Sequence, residues 1–122
     1  MHIGTDIIQI DRIKKIDNKY NVQFKEKFLC NEEIKLIKKV ETLAGFWAAK
    51  EAISKALGCG IGRELTFHDI RLTKNEKGAP SFVLSDRAQK VHHVSTSSLS
   101  ISHDGGFAIA VVAIVKSNAN IN

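Results

Sequence analysis

Residues 46–58 read FWAAKEAISKALG, and this stretch is the most strongly patterned part of the chain. Phe46 and Ile53, with alanines between and beyond them, recur at the spacing of one helical face. The pattern predicts a helix over about residues 42–57, which Gly58 would end in the left-handed conformation that glycine adopts without strain. The polar side chains of the stretch are expected around the other side: Lys50, Glu51, Ser54 and Lys55.

The residues before this helix predict one strand and then basic helices. Residues 1–10 are mostly apolar and predict a first strand, in which Asp6 is an isolated charge. A short basic helix is expected from Asp11. Asn31 is predicted to cap a second helix, whose first turn is acidic where the helix dipole favours negative charge. The apolar face of that second helix would hold Ile34, Ile37 and Val40.

Two short strands and a helix are expected after the central helix. Loose alternation over residues 67–72 and an apolar stretch over residues 81–84 predict strands, with a turn at residues 75–78 between them. Ser85 or Asp86 is expected to cap a short helix that ends near Val91.

The last part of the chain predicts a hairpin. Residues 99–103 and 107–115 flank Asp104-Gly105-Gly106, a strong turn signal. The final strand is almost wholly apolar, which predicts burial on both of its faces. Strands and helices do not alternate regularly, so we expect an α+β fold with a mostly antiparallel sheet packed with helices. The 122 residues argue for one domain, over residues 1–116, followed by a loose tail over residues 117–122.

The net charge of +5 is concentrated in the stretch between residues 12 and 39. Two interpretations are open: a solvated helical surface, or a site for an anionic partner such as nucleic acid, a membrane or an acidic protein. A nucleic-acid module would have the charge as its only support, because the chain has no aromatic platform, helix-turn-helix signal or zinc spacing. No apolar run is long enough for a bilayer and no signal peptide is evident, so a cytoplasmic location is the default. Cys30 and Cys59 are interpreted as reduced thiols.

Asp6 and Glu51 are the first candidates for chemistry. Asp6 either lies at a solvated strand end or belongs to a pair of carboxylates that holds a hard divalent cation. Glu51 either forms a helix ion pair with Lys55, at the favourable i, i+4 spacing, or is the second carboxylate of that pair. In the latter case Lys50 or Lys55 would be available for phosphate, and the ion would be Mg²⁺.

Two further features are weak by themselves. Gly58, Gly60 and Gly62 would let a backbone approach a phosphate or a flat ring, but a plain helix stop explains them as well. His103 could donate to a phosphate or move a proton near neutral pH, although a histidine at a strand end is more often structural. A Ser-His-Asp hydrolase is disfavoured because no G-x-S-x-G segment is present.

Three stretches together resemble the holo-carrier-protein synthase family of phosphopantetheinyl transferases. They are residues 3–8 (IGTDII, followed by Arg12), residues 46–58, and residues 99–104 (LSISHD) with 107–110 (FAIA). Their order and spacing, and the length of the chain, agree with that family over nearly the whole sequence. The resemblance implies a phosphopantetheinyl transferase fold and an enzyme that moves the 4′-phosphopantetheine arm of coenzyme A onto a serine of an apo acyl carrier protein. It also implies release of adenosine 3′,5′-bisphosphate, dependence on Mg²⁺ (with Mn²⁺ as the alternative ion) and a role in fatty acid biosynthesis.

The resemblance also assigns residues. Asp6 and Glu51 correspond to the metal ligands, and Lys55 to a catalytic cation that contacts coenzyme A phosphate. The coenzyme A pocket would include Lys55, Gly58, Gly60, Gly62, Pro80, Ser102 and His103, with His103 also catalytic. The acidic carrier protein would dock on Arg12, Lys14 and Lys15, and neither nucleic acid nor a membrane would be a partner.

The family is trimeric, with each active site shared between neighbouring subunits. Two positions depart from its pattern: Gln9 stands where glutamate is usual, which puts an outer-shell role for that carboxylate in doubt, and Cys59 stands where threonine is common. A catalytically inert subunit of a larger assembly is the remaining alternative, and the presence of Asp6, Glu51 and Lys55 argues against it.

Overall fold

The computed structural model describes residues 1–117. In chain order its elements are β1 (His2–Gln9), α1 (Ile10–Tyr20), α2 (Val22–Phe28), α3 (Asn31–Ile34), α4 (Val40–Ala56), a 3₁₀ turn (Phe67–Asp69), β2 (Ile70–Lys74), β3 (Pro80–Leu84), α5 (Asp86–His92), β4 (Val94–Asp104) and β5 (Phe107–Lys116). Within the described residues, no helix is long and apolar enough to cross a membrane.

The strands form two antiparallel sheets. In the larger sheet β5 lies between β1 and β4, and in the smaller one β2 pairs with β3. Helix α4 packs across β1 and β5, so the longest helix covers one face of the larger sheet. This arrangement confirms the predicted α+β fold with antiparallel pairing.

Small residues bring α4 unusually close to the sheet. A Cβ atom on Gly4 would lie 1.9 Å from the carbonyl oxygen of Ala52. A Cβ atom on Gly45 would lie 2.8 Å from the side chain of Ile101. Because backbone cannot yield as a flexible side chain can, Gly4 sets the depth at which β1 meets α4. The close packing of β1 on α4 brings polar side chains of the two elements together.

The basic segment before α4 differs from its prediction. The helix that was predicted to follow a cap at Asn31 is α3. Cys30, not Asn31, precedes it, and it ends after one turn at Ile34. Glu33 explains where this helix begins, because its buried carboxylate accepts a hydrogen bond of 2.8 Å from the backbone N–H of Cys30. Val40 belongs to the next helix, so the expected common face of Ile34, Ile37 and Val40 does not exist.

The last strand also differs from its prediction. Burial alternates along β5: Ala108, Ala110, Val112 and Ile114 are fully buried against α4. The residues between them point to the opposite face, which no described element covers. That face exposes Phe107, Ile109, Val111 and Val115 on β5, and Ile3 and Ile7 on β1. The prediction of burial on both faces is therefore wrong for a single chain.

The remaining boundaries shift by a few residues. Residues 67–69 form the 3₁₀ turn instead of the start of a strand, because the Asp69 carboxylate accepts bonds from Thr66. The Ser85 side chain caps α5 as predicted, accepting from the N–H of Ala88. The N–H of Ser117 donates to the carbonyl of His93 at 2.7 Å. The rest of the expected tail lies outside the described residues, and the boundary at residue 116 stays a prediction.

Candidate active site

Asp6, Glu51 and Lys55 meet where β1 crosses the last turns of α4. Lys55 Nζ lies 2.9 Å from Asp6 Oδ1 and donates a second hydrogen bond, of 3.2 Å, to the carbonyl oxygen of Thr5. The Asp6 side chain is 14% exposed and the Lys55 side chain 53% exposed, so the pair opens to solvent. The tight contact of Gly4 with α4, two residues before Asp6, explains why residues 49 positions apart in sequence are neighbours.

The second carboxylate is electrostatically coupled to the first. Partial burial raises the pKa of Glu51, the negative charge of Asp6 raises it further, and Lys55 opposes both. Within residues 1–117 Lys55 pairs with Asp6, so the alternative of a simple Glu51–Lys55 helix pair is not formed. Two neighbouring carboxylates with one lysine between them leave negative charge that a cation would neutralise.

This donor set fits a hard divalent ion. Mg²⁺ is held in proteins by one or two carboxylates, while water and substrate phosphates complete its shell. Asp6 and Glu51 supply that number of carboxylates on rigid elements, one on a strand and one on a helix. Asp6 and Glu51 are therefore the candidate ligands for such an ion.

The glycine-rich loop follows directly on this cluster. Gly58 and Gly60 have φ angles of +82° and +67°, and a Cβ atom on either would meet nothing within 4 Å. The N–H groups of Cys59 and Gly60 both point back to the carbonyl of Ser54, so the loop wraps the end of α4. The expected left-handed end of the helix at Gly58 is confirmed. Open space beside two left-handed glycines leaves backbone accessible to a ligand next to Lys55.

Lys50 and Ser54 do not lie on the polar side of α4. Lys50 Nζ is fully buried and donates to Glu33 Oε1 at 3.0 Å and to the carbonyl oxygens of Phe28 and Phe67 at 2.6 and 3.0 Å. All three ammonium hydrogens are thereby used. Ser54 is buried as well. The expectation that Lys50 could bind phosphate is wrong, because its ammonium group is buried and already bound to Glu33 and two backbone carbonyls.

Pro80 and His103 meet at a second place. They line a pocket of about 150 Å³ together with residues from the start of α4. Lys74 joins them, and its Nζ lies 5.6 Å above the ring of Phe46. Sequence reasoning missed Lys74. Its only signal was its position just before the turn that leads to Pro80. The pocket thus places a histidine and a lysine beside the acidic residue Glu41.

Within one chain, the cluster around Asp6 and Glu51 lies apart from the pocket lined by Pro80 and His103. The pairing of Asp6 with Ala110, and of Ala110 with Ile101, puts the Cα atoms of Asp6 and His103 about 12 Å apart. Along α4, the pocket end and Glu51 are separated by roughly 15 Å. Ser102 points to the opposite face of the sheet from His103, because neighbouring residues alternate along a strand. The predicted coenzyme A residues therefore form two partial sites, with Ser102 on the bare face.

The predicted carrier-docking residues lie on the exposed side of α1. Arg12, Lys14 and Lys15 are all exposed, while Ile13 is buried against the core. Lys15 forms a surface ion pair of 3.0 Å with Asp11. Lys14 lines a wide surface pocket of about 560 Å³ that His103 also lines. Gln9 points to the face of β1 opposite Asp6, so the missing glutamate does not alter this cluster.

Comparison with known proteins identifies the family. A family model for the 4′-phosphopantetheinyl transferase superfamily matches residues 2–112. The holo-[acyl-carrier-protein] synthase of Sulfurovum sp. (strain NBC37-1) is 62% identical over 114 residues, which cover 93% of this chain and 96% of that protein. The chain therefore belongs to the 4′-phosphopantetheinyl transferase superfamily, among the holo-[acyl-carrier-protein] synthases.

Solved structures agree with this assignment. The Helicobacter pylori holo-[acyl-carrier-protein] synthase, in complex with coenzyme A, is 47% identical with a TM-score of 0.89, covering 93% of this chain and 99% of that one. The Bacillus anthracis synthase, in complex with CoA (3′,5′-ADP), is 38% identical with a TM-score of 0.80, covering 95% and 96%. The family and the class of enzyme that the resemblance implied are confirmed.

Proposed function

We propose that this enzyme transfers the 4′-phosphopantetheine arm of coenzyme A to a serine of an apo acyl carrier protein, in support of fatty acid biosynthesis. The serine Oγ–phosphorus bond forms, the pyrophosphate P–O bond breaks, and adenosine 3′,5′-bisphosphate leaves. The convergence of Asp6, Glu51 and Lys55 beside an open glycine loop carries the proposal. Structural relatives crystallised with coenzyme A support the identity of the donor.

The demands of the reaction match the groups that this cluster offers. Transfer from a pyrophosphate needs positioning and charge neutralisation more than covalent participation by the protein. Mg²⁺ (or Mn²⁺) held by Asp6 and Glu51 would supply positive charge beside the pyrophosphate. Lys55, released from Asp6 when that carboxylate takes a cation, is long and exposed enough to turn toward the leaving phosphate. The serine proton can pass to a carboxylate, to water or to His103.

We infer further that the active site is completed by a second copy of the chain. Pro80, Lys74 and His103 line a pocket that lies too far from Asp6 and Glu51 to share a small reacting group within one chain. The bare face of β1 and β5 exposes a row of large apolar side chains, which a second copy would cover. A homotrimer with active sites between subunits unites both observations.

Shared sites predict complementation between subunits. Asp6→Ala and His103→Ala damage different halves of the proposed site, so refolding a mixture of the two variants should produce some sites with neither change. Activity of the mixture should exceed that of both variants alone, measured by incorporation of labelled phosphopantetheine. A mixture no more active than its components would contradict a shared site and leave the transferase proposal intact.

Docking of the carrier protein is assigned to α1. Arg12, Lys14 and Lys15 present three exposed cations on one short helix, and Lys14 borders the surface pocket at His103. An acidic protein surface would be steered to this helix by long-range attraction. We also propose that the enzyme works in the cytoplasm, where its free thiols Cys30 and Cys59 stay reduced.

The decisive experiment is mass spectrometry of apo acyl carrier protein incubated with coenzyme A, Mg²⁺ and the enzyme. The carrier should gain one phosphopantetheine, roughly 340 Da, and chelation of the metal should abolish the gain. Glu51→Ala should reduce the rate on the order of 10³-fold. The exposed Glu26→Ala in α2 is the matched control and should retain the parent rate. Absence of a mass gain with several carriers would refute the proposed activity, and a Glu51→Ala rate equal to that of the control would refute the role of Glu51 as a metal ligand.

A further inference from the structure

A second group of potential metal ligands lies beyond the active-site cluster, around the far end of the glycine loop. Cys59, Glu64 and His92 each present one ligand atom, and these atoms all lie within 4.8 Å of one another. Cys59 and Glu64 come from the loop after α4, and His92 is the last residue of α5. Three chemically different donors from two separate segments thus converge on one point.

His92 supplies the observation that points to a ligand. It is 3% exposed, and its Nε2 atom has no hydrogen-bond partner among the residues that the structure describes. Nε2 lies 3.3 Å from Glu64 Oε2, close enough for an ion pair but without the alignment of a hydrogen bond. Buried side-chain nitrogens are nearly always satisfied in folded proteins, so an unpaired one aimed at a carboxylate and a thiol requires an explanation.

The charge state of His92 disfavours a simple ion pair with Glu64. Burial, followed by the positive charge of Lys116, lowers the pKa of His92, so the ring is held neutral with a lone pair available. Burial and then the Glu64 carboxylate raise the pKa of the Cys59 thiol. A bound cation would reverse that effect, because a metal-coordinated thiol releases its proton. Glu64 and a Cys59 thiolate would then balance a divalent charge.

We propose that Cys59, Glu64 and His92 form a binding site for a borderline divalent metal ion of the Zn²⁺ class. Sulfur, imidazole nitrogen and carboxylate oxygen together are the ligands of zinc, whereas Mg²⁺ selects oxygen alone. Three protein ligands leave one position of a tetrahedral shell for water. This site is separate from Asp6 and Glu51 and does not rest on the proposed transferase activity.

The site would connect two separate parts of the chain. It ties the loop at residues 59–64, whose first residues wrap the end of α4, to the last turn of α5. Gly60 and Gly62 lie between two of the ligands, and their flexibility makes the loop costly to order. Metal binding would therefore hold this loop beside Lys55 in one conformation.

The test measures how many zinc ions the whole chain binds. Excess Mg²⁺ is present throughout, so that sites made of carboxylates alone are filled by that ion. Chelator-treated protein is dialysed against Zn²⁺ and analysed by mass spectrometry of the element, and Zn²⁺ affinity is measured by calorimetry. We expect one zinc ion per chain. Cys59→Ser and Glu64→Gln should each weaken Zn²⁺ affinity on the order of 100-fold or more. Cys30→Ser is the matched control, since serine suits a position before a helix, and should bind as the parent does.

A spectroscopic measurement keeps the test independent of variant folding. Co²⁺ in place of Zn²⁺ should give a near-ultraviolet thiolate-to-cobalt charge-transfer band in the parent and in Cys30→Ser, and no such band in Cys59→Ser. Glu64 is 55% exposed, so Glu64→Gln removes a ligand without disturbing the core. Failure of the parent to bind Zn²⁺, an unchanged affinity in Cys59→Ser, or cobalt binding without the thiolate band would each overturn the proposal.

Discussion

Two lysine–carboxylate pairs on α4 have almost the same geometry and opposite surroundings. Lys50 lies 3.0 Å from Glu33 and Lys55 lies 2.9 Å from Asp6. The side chains of the first pair are 0% and 1% exposed, and those of the second pair are 53% and 14% exposed. The two lysines are five positions apart in the sequence, yet one is part of the core and the other belongs to the candidate active site.

Saturation of hydrogen bonds, rather than ion-pair distance, separates the structural charge from the functional one. Lys50 donates all three of its hydrogens inside the protein, and Glu33 also accepts from the backbone of Cys30 and Leu72. Burial lowers the pKa of Lys50, and the charge of Glu33 opposes that shift. Lys55 and Asp6 keep unused capacity that faces solvent, which a metal ion and a phosphate can take.

Removal of Lys50 should have the largest effect on stability. Lys50→Met leaves the Glu33 carboxylate buried without a cation and should cost about 3–5 kcal/mol of unfolding free energy. Urea denaturation followed by circular dichroism measures the loss. Adding Glu33→Gln to this variant removes the stranded charge and should recover part of it. A Lys50→Met protein as stable as the parent would show that the buried Lys50–Glu33 pair is not needed for the fold.

The same change at Lys55 should reverse the balance between stability and activity. Lys55→Met breaks a pair whose lysine is half-exposed and should alter stability by no more than about 1 kcal/mol. Its transfer rate should fall about 100-fold, because charge stabilisation at the leaving group is lost. The exposed Lys90→Met on α5 is the control and should change neither quantity. Near-parent activity in Lys55→Met would remove this lysine from the proposed mechanism.

Asp69 offers an intermediate case, with a buried carboxylate and a half-exposed arginine partner. Burial opposes ionisation of Asp69, but hydrogen bonds from Ser85, Thr66 and Arg87 outweigh it and lower its pKa to about 2. The ordinary value is 3.8, so folding favours the ionised form. The resulting stabilisation is fully present above about pH 4 and is lost as the pH falls toward 2.

Asp69→Asn should therefore lose about 2 kcal/mol of stability at neutral pH. Its stability should also fall less steeply than that of the parent between about pH 4 and pH 2. Denaturation curves collected across this range measure both effects. Parallel pH profiles for parent and variant would show that Asp69 does not stabilise the fold through its charge.

Much of the architecture was predictable because it depends on local patterns. The central helix and its left-handed end at Gly58, the hairpin around Asp104-Gly105-Gly106 and the cap at Ser85 each follow from a few neighbouring residues. Errors arose where distant groups intervened. Glu33 caps the start of α3 through the backbone of Cys30 and also binds Lys50 and Leu72, and no helix signal in that segment reports such distant partners.

For the candidate site too, residue identities could be predicted, but contacts between distant segments could not. The residue pattern made Asp6, Glu51 and Lys55 candidates, the family resemblance favoured them, and the structure shows that they converge. The resemblance could not indicate that Lys74 joins Pro80 and His103, or that Ser102 points away from them, because side-chain direction depends on strand register. The apolar character of β5 was evident from its composition. Which of its faces is covered depends on where α4 packs.

The family, most of the helices and strands, and the residues able to carry chemistry could be read from the sequence, since these are encoded in local spacing and residue identity. That Lys50 is fully hydrogen-bonded in the core, while Lys55 faces solvent, depends on the tertiary structure. It also decided that one sheet face stays bare, and that Cys59, Glu64 and His92 converge. The physical reason is that burial and pairing are properties of the space between elements. Contacts such as that of Gly4 with Ala52 define this space, and they join residues far apart in the chain.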